Sequence, residues 1–126
     1  MGGKQKILVV DDSKVVLEGT AMALEDAGFD VITLDNPLSV AHVLRKEQPA
    51  LMLIDVNMPT LTGDRVTAIL SKRASGPGRT RILLHSDVNE AELSARAGQC
   101  GADGYIVKTG NEFEFVRQVQ RALSNG

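Results

Sequence analysis

The sequence contains a single cysteine, Cys100, so no disulfide can close within the chain, and a reducing, intracellular setting is the simplest expectation. There is no excess of positive charge. Lys and Arg total 14 against 16 Asp and Glu, for a formal charge of -2, and no long basic block appears, so direct nucleic-acid binding is not expected. No apolar run approaches the ~18 residues of a membrane helix. The opening MGGKQK lacks the apolar core of a secretion signal, and Lys6 stands where a myristoylation motif at Gly2 would have Ser or Thr. Linker-like, repetitive and low-complexity stretches are missing as well. These absences lead to the expectation of one soluble, cytoplasmic domain without a membrane partner. At 126 residues, 43% hydrophobic and 24% charged, the chain can bury a sizeable core.

Short apolar runs are what the chain has instead: ILVV at 7–10, LMLI at 51–54, ILL at 82–84 and YIV at 105–107, with an alternating DVITL at 30–34. Continuous rather than alternating hydrophobicity predicts strands covered on both faces, as in a parallel sheet. Helix-length segments lie between them. Leu17, Ala21 and Leu24 mark the first; Ala41 and Leu44 the second; Val66, Ile69 and Leu70 the third; Leu93 and Ala97 the fourth; Val116, Val119 and Leu123 the fifth. Asn36-Pro37 reads as the capped start of the second helix, Gly28 as the stop of the first, and SGPG at 75–78 as a loop. The result is an α/β protein with five strands alternating with five helices, (βα)5, and right-handed crossovers. Periodicity does not give the strand order.

Parallel strands present their C-terminal ends at one edge, where such sheets bind ligands. The first strand ends in Asp11 and Asp12, the third in Asp55, the fourth in Ser86 and the fifth in Lys108. Three carboxylates, a hydroxyl and an ammonium therefore converge. Crowded carboxylates repel unless a cation joins them. An all-oxygen site with few protein ligands suits Mg²⁺. A carboxylate flanked by a metal and an ammonium can act as a nucleophile toward phosphorus, because both cations neutralise charge on the transferring group. Each residue also has a plain reading: Asp11 or Asp12 could cap a helix, Asp55 could form a turn, Ser86 is commonplace in loops, and Lys108 could be a solvated lysine. Their joint placement at four strand ends favours chemistry.

At these residues the chain resembles the receiver domain of two-component response regulators. The likeness runs over about residues 5–124 of a single domain, 1–126, through ILVVDDS, LMLIDVNMPTLTG, Ser86 and GADGYIVKT. The resemblance implies a flavodoxin-like sheet of order 2-1-3-4-5, an order for which a receiver protein is a standing example. It implies Asp55 as phosphoacceptor, with Asp12, Asp55 and the backbone carbonyl of Asn57 as Mg²⁺ ligands and Asp11 acting through water. Ser86 would bind the phosphoryl group after transfer, Lys108 would hold one of its oxygens, and Tyr105 would be the switch aromatic. Asn57 would also tune phosphoryl lifetime. A sensor histidine kinase or phosphotransfer protein would be the donor, and an output protein, or a homodimer through the fourth helix, fifth strand and fifth helix, the recipient of the signal. Such a chain is a signalling phosphoacceptor rather than an enzyme, and no cofactor beyond Mg²⁺ is implied.

Two positions depart from the family pattern. Thr109 follows the lysine where proline is usual. Asp87 follows Ser86 where a small residue is usual, and either adds a fourth carboxylate to the site or, with Glu90, begins a helix as an Asp-led capping box. Among other residues, Met58 reads as packing, Gly63 as backbone freedom at the start of the third helix, His85 as a satisfied strand-end histidine, His42 as surface or boundary, and Cys100 as a small buried hydrophobe. Rival functions are weaker. A flavin or dinucleotide site would repel phosphate from Asp11-Asp12-Ser13, an aspartyl-nucleophile phosphatase would want an acid at Asn57, and a degenerate binding-only receiver would not need Asp55, Ser86 and Lys108 together.

Overall fold

The computed structural model describes residues 3–71 and 79–124; the expected SGPG loop falls outside them. In chain order the elements are β1 (Lys6–Val10), α1 (Lys14–Asp26), β2 (Asp30–Leu34), a 3-10 turn (Pro37–Ser39), α2 (Val40–Glu47), β3 (Leu51–Ile54), α3 (Gly63–Ser71), β4 (Arg81–Ser86), α4 (Glu90–Cys100), β5 (Gly104–Val107) and α5 (Glu112–Ser124). All strand pairs are parallel, in the order β2-β1-β3-β4-β5. This is the flavodoxin-like order that the resemblance implied.

The continuous apolar runs serve two faces. In β1, Ile7 and Val9 point into one core with Leu17 and Leu24 of α1 and Val119 of α5. Leu8 and Val10 point into the other, with Val40 of α2, Val66 of α3 and Leu93 and Ala97 of α4. In β3, Leu51 and Leu53 join the first core, and Met52 and Ile54 the second. Side chains alternate along a strand, so a strand covered on both sides must be apolar at every position. Ile69 departs from its expected core role: at 50% exposure it lies largely outside, while Val66 of the same helix is buried.

Helix ends follow local chemistry, with two corrections. The Ser13 side chain accepts from Val16 N and caps α1, and Gly28, at φ 100°, ends the turn that follows. Asn36 does accept from Leu38 N, but it opens the 3-10 turn, and α2 begins only at Val40. The proline geometry suits either helix type at its first position, which is why the two could not be told apart. At α4 the cap is Asn89, accepting from Glu92 N, and not Asp87. The Asn89–Glu92 spacing is itself a capping pair, two residues further along than expected.

Candidate functional site

Asp11, Asp12, Asp55 and Lys108 gather at the C-terminal edge of β1, β3 and β5. One carboxylate oxygen from each of the three aspartates lies within 4.8 Å of the others. Asp11 is buried at the end of β1, where its amide donates to Leu34 O at 3.1 Å. One of its oxygens accepts from Ser13 N at 3.0 Å and the other from Lys108 Nζ at 2.7 Å. Because Ser13 supplies the helix cap, neither aspartate is spent on that task. Asp12 is exposed, yet one of its carboxylate oxygens still lies within 4.8 Å of those of the two buried aspartates.

Asp55 is 7% exposed. Its amide donates to Val10 O at 3.0 Å, which extends the β1–β3 pairing to the site. Its Oδ1 accepts from Asn57 N at 3.1 Å, so the residue does form the local turn that its sequence context suggested. Its Oδ2 faces Lys108 Nζ at 3.3 Å. The turn and the cluster use different oxygens of one carboxylate. Burial opposes the charge of Lys108, but hydrogen bonds and Coulomb attraction from Asp11 and Asp55 outweigh it and raise its pKa above the ordinary lysine value. The ammonium is thus a fixed positive charge. Three oxygen donors, two buried and one open to water, fit a hard divalent cation that retains part of its hydration shell.

Gly63 has a more specific role than backbone freedom. A Cβ built there would stand 2.1 Å from the carbonyl oxygen of Asp55, so the start of α3 packs directly on the strand-end backbone. Gly63 is not among the positive-φ glycines; close approach is the reason for glycine here.

Ser86 is fully buried at the end of β4, and its Oγ accepts weakly from Val88 N at 3.5 Å. The Lys108 amide donates to Ser86 O at 2.8 Å and fixes β5 to β4 at this level. Tyr105 packs partly against the α2–α4 core, while its hydroxyl donates to Glu90 Oε2 at 3.1 Å. Asp87 is exposed and stands outside the group of three acids. Thr109 begins a tight turn: its Oγ1 accepts from Asn111 N, Gly110 takes φ 78°, and Asn111 accepts from Glu114 N. No cis peptide occurs among the described residues.

Three features had no sequence signal. Arg96 of α4 grips Asp64 of α3 with two hydrogen bonds, 3.1 and 3.0 Å, and Glu92 with a third. Burial works against the Asp64 charge, yet Arg96 prevails and holds that carboxyl below its usual value. Arg79 forks onto Asp103, which also accepts from Ile82 N at 2.8 Å. His85 stacks on Phe115, with ring centroids 5.1 Å apart. Burial, aided by Lys108 and opposed by Asp55, lowers the His85 pKa to about 4, so the ring is neutral at ordinary pH. Met58 and Cys100 are buried and His42 is exposed, as their sequence contexts suggested.

A family model described as the response regulator receiver domain matches residues 7–120. The chain is 33% identical over 120 residues to a probable transcriptional regulator, ycf27, of Pyropia yezoensis, covering 95% of this chain and 48% of that protein. It is 32% identical to the regulatory protein AtoC of Escherichia coli, covering 94% of this chain and 25% of that one. The chain therefore spans half or less of these relatives. The chemotaxis response regulator CheY4 of Vibrio cholerae superposes with a TM-score of 0.83 at 28% identity, over 95% of this chain and 99% of that one. No helix among the described residues is long and apolar enough to cross a membrane.

Proposed function

The chain belongs to the family of response regulator receiver domains, and from that premise we propose that Asp55 accepts a phosphoryl group from a phosphohistidine. The observation that carries this reading is the buried Asp55 carboxylate flanked by Asp11, Asp12 and the paired Lys108. In the transfer an Asp55 oxygen bonds to phosphorus while the phosphorus–nitrogen bond of the donor breaks, leaving an acyl phosphate and a free imidazole. Lys108 stands beside Asp55 Oδ2 and stabilises negative charge on the transferring oxygens. Asp11 keeps that ammonium oriented. The charge density of the three acids supports a Mg²⁺ site formed by Asp12, Asp55 and the Asn57 carbonyl, with Asp11 reached through water. When bound, Mg²⁺ would neutralise phosphoryl charge that the carboxylates alone would repel.

The output would run through Ser86 and Tyr105 to the face made by α4, β5 and α5, where a partner protein or a second copy of the chain would dock. The donor would be a histidine kinase or phosphotransfer protein. Asp87, exposed beside Ser86 in the chain, would slow the approach of an anionic donor. Two like charges ~4 Å apart repel by ~1 kcal/mol in water, so Asp87→Ala should speed phosphorylation several-fold at most, and less at high salt. Unchanged kinetics in folded Asp87→Ala would remove that role. The central reading is tested with acetyl phosphate and Mg²⁺. Wild type should take up one phosphoryl group per chain and Asp55→Asn none. Equal uptake by both would overturn it.

A further inference from the structure

Lys108 also lines a cleft of about 310 Å³ between α1 and the β5–α5 turn, whose walls include none of the three site aspartates. That volume is in the range of small-ligand sites. Its walls include Val16 and Gly19 of α1 and Phe115 of α5, with His85 also on the lining. Two features distinguish it from an ordinary surface crease. His85 is only 6% exposed, yet, contrary to the satisfied histidine expected from the sequence, no described residue hydrogen-bonds its imidazole. Its nitrogens are not among buried atoms lacking a partner, so they reach the open space of the cleft. The ring thus offers one donor and one acceptor to whatever occupies the cleft, water or a ligand.

The second feature is Gly19. It sits in the interior of α1, where glycine costs ~1 kcal/mol relative to alanine. A Cβ there would meet nothing within 4 Å, and the residue is not among those with positive φ. Neither crowding nor backbone conformation asks for glycine. What it does is leave that wall of the cleft without a side chain.

We infer that this cleft is a binding site for a small, neutral aromatic molecule carrying a hydroxyl or ring N–H, seated beside the His85–Phe115 stack and hydrogen-bonded to His85. A planar ring suits the apolar and aromatic lining, and one polar hydrogen or lone pair suits a neutral imidazole, which has one donor and one acceptor. The Lys108 ammonium is already engaged by Asp11 and Asp55, so no anion is required to balance it.

Amide NMR titration of the full chain with phenol, and with toluene as the probe lacking the hydroxyl, tests this without reference to phosphorylation. Phenol should move the amides of Gly19, Thr20, Gly110 and Asn111 as a group and bind roughly 2- to 10-fold more tightly than toluene, the worth of one neutral hydrogen bond. His85→Phe should keep the ring contact and close that gap. Gly19→Leu, which adds a side chain to open space in a helix, should abolish binding of both probes. Equal binding of phenol and toluene by wild type, a phenol response that survives in folded Gly19→Leu, or no grouped response would each overturn the assignment. So would movement of the same amides with protein concentration alone, which would give the cleft to a second copy of the chain.

Discussion

Gly63 and Asp55 touch through their backbones: a methyl group on Gly63 would stand 2.1 Å from the Asp55 carbonyl oxygen. Neither β3 nor the start of α3 can yield without moving the site. Gly63→Ala should therefore cost about 1–3 kcal/mol, the usual range for overpacking, and slow phosphorylation as Asp55 is displaced. Thermal unfolding and acetyl phosphate kinetics check both. A variant matching wild type in each would mean that the contact is slack.

His85 makes stability depend on pH. Its folded pKa, about 4, lies below the ordinary 6.5, so the unfolded chain takes up the proton first. The stability tied to the neutral ring is complete above pH 6.5 and is lost as pH falls toward 4. The full shift corresponds to ~3 kcal/mol. Carboxylates titrate over the lower part of this window, so the measurement is the difference between wild type and His85→Phe in urea unfolding at pH 7 and pH 4.5. The variant should lose clearly less stability on acidification. Parallel losses would show that His85 is not the titrating group.

Asp12→Ala should weaken Mg²⁺ binding more than Ser86→Ala. Asp12 brings a charged oxygen to the group of three acids, whereas the Ser86 hydroxyl is buried and already accepts from Val88 N. Mg²⁺ titration by calorimetry decides it, and equal affinities in Asp12→Ala and wild type would remove Asp12 from the ligand set.

The Tyr105 hydroxyl is tied to Glu90 at the start of α4. If Tyr105 moves inward on phosphorylation, that bond must break. Glu90→Ala should then favour the switched form by a few-fold, the scale of one exposed hydrogen bond. Amide exchange over residues 86–108 should already differ from wild type without phosphorylation and change less on adding beryllofluoride. Identical exchange in both proteins would separate this bond from the switch.

Strand-end acids were legible because a parallel sheet must bring the ends of its strands to one edge, so Asp11, Asp12, Asp55 and Lys108 could be grouped from position alone. The two-faced core was legible for the same reason. What stayed hidden depends on contacts between residues far apart in sequence. Nothing local marks Asp64 as the partner of Arg96, or Gly63 as the residue pressed on Asp55. Capping failed differently. Asp87, Asn89, Glu90 and Glu92 offer two pairs with the same spacing, and only the backbone path after Ser86 selects Asn89.

The most direct measurement is to locate the phosphoryl group itself. After incubation with acetyl phosphate and Mg²⁺, borohydride reduces an acyl phosphate to an alcohol, which turns the modified aspartate into homoserine. Peptide mass spectrometry then reads which position changed. The account predicts homoserine at position 55 alone, dependent on Mg²⁺. Conversion at Asp11, Asp12 or Asp87 with Asp55 intact would contradict it, as would a phosphoryl group on serine or threonine that survives acid.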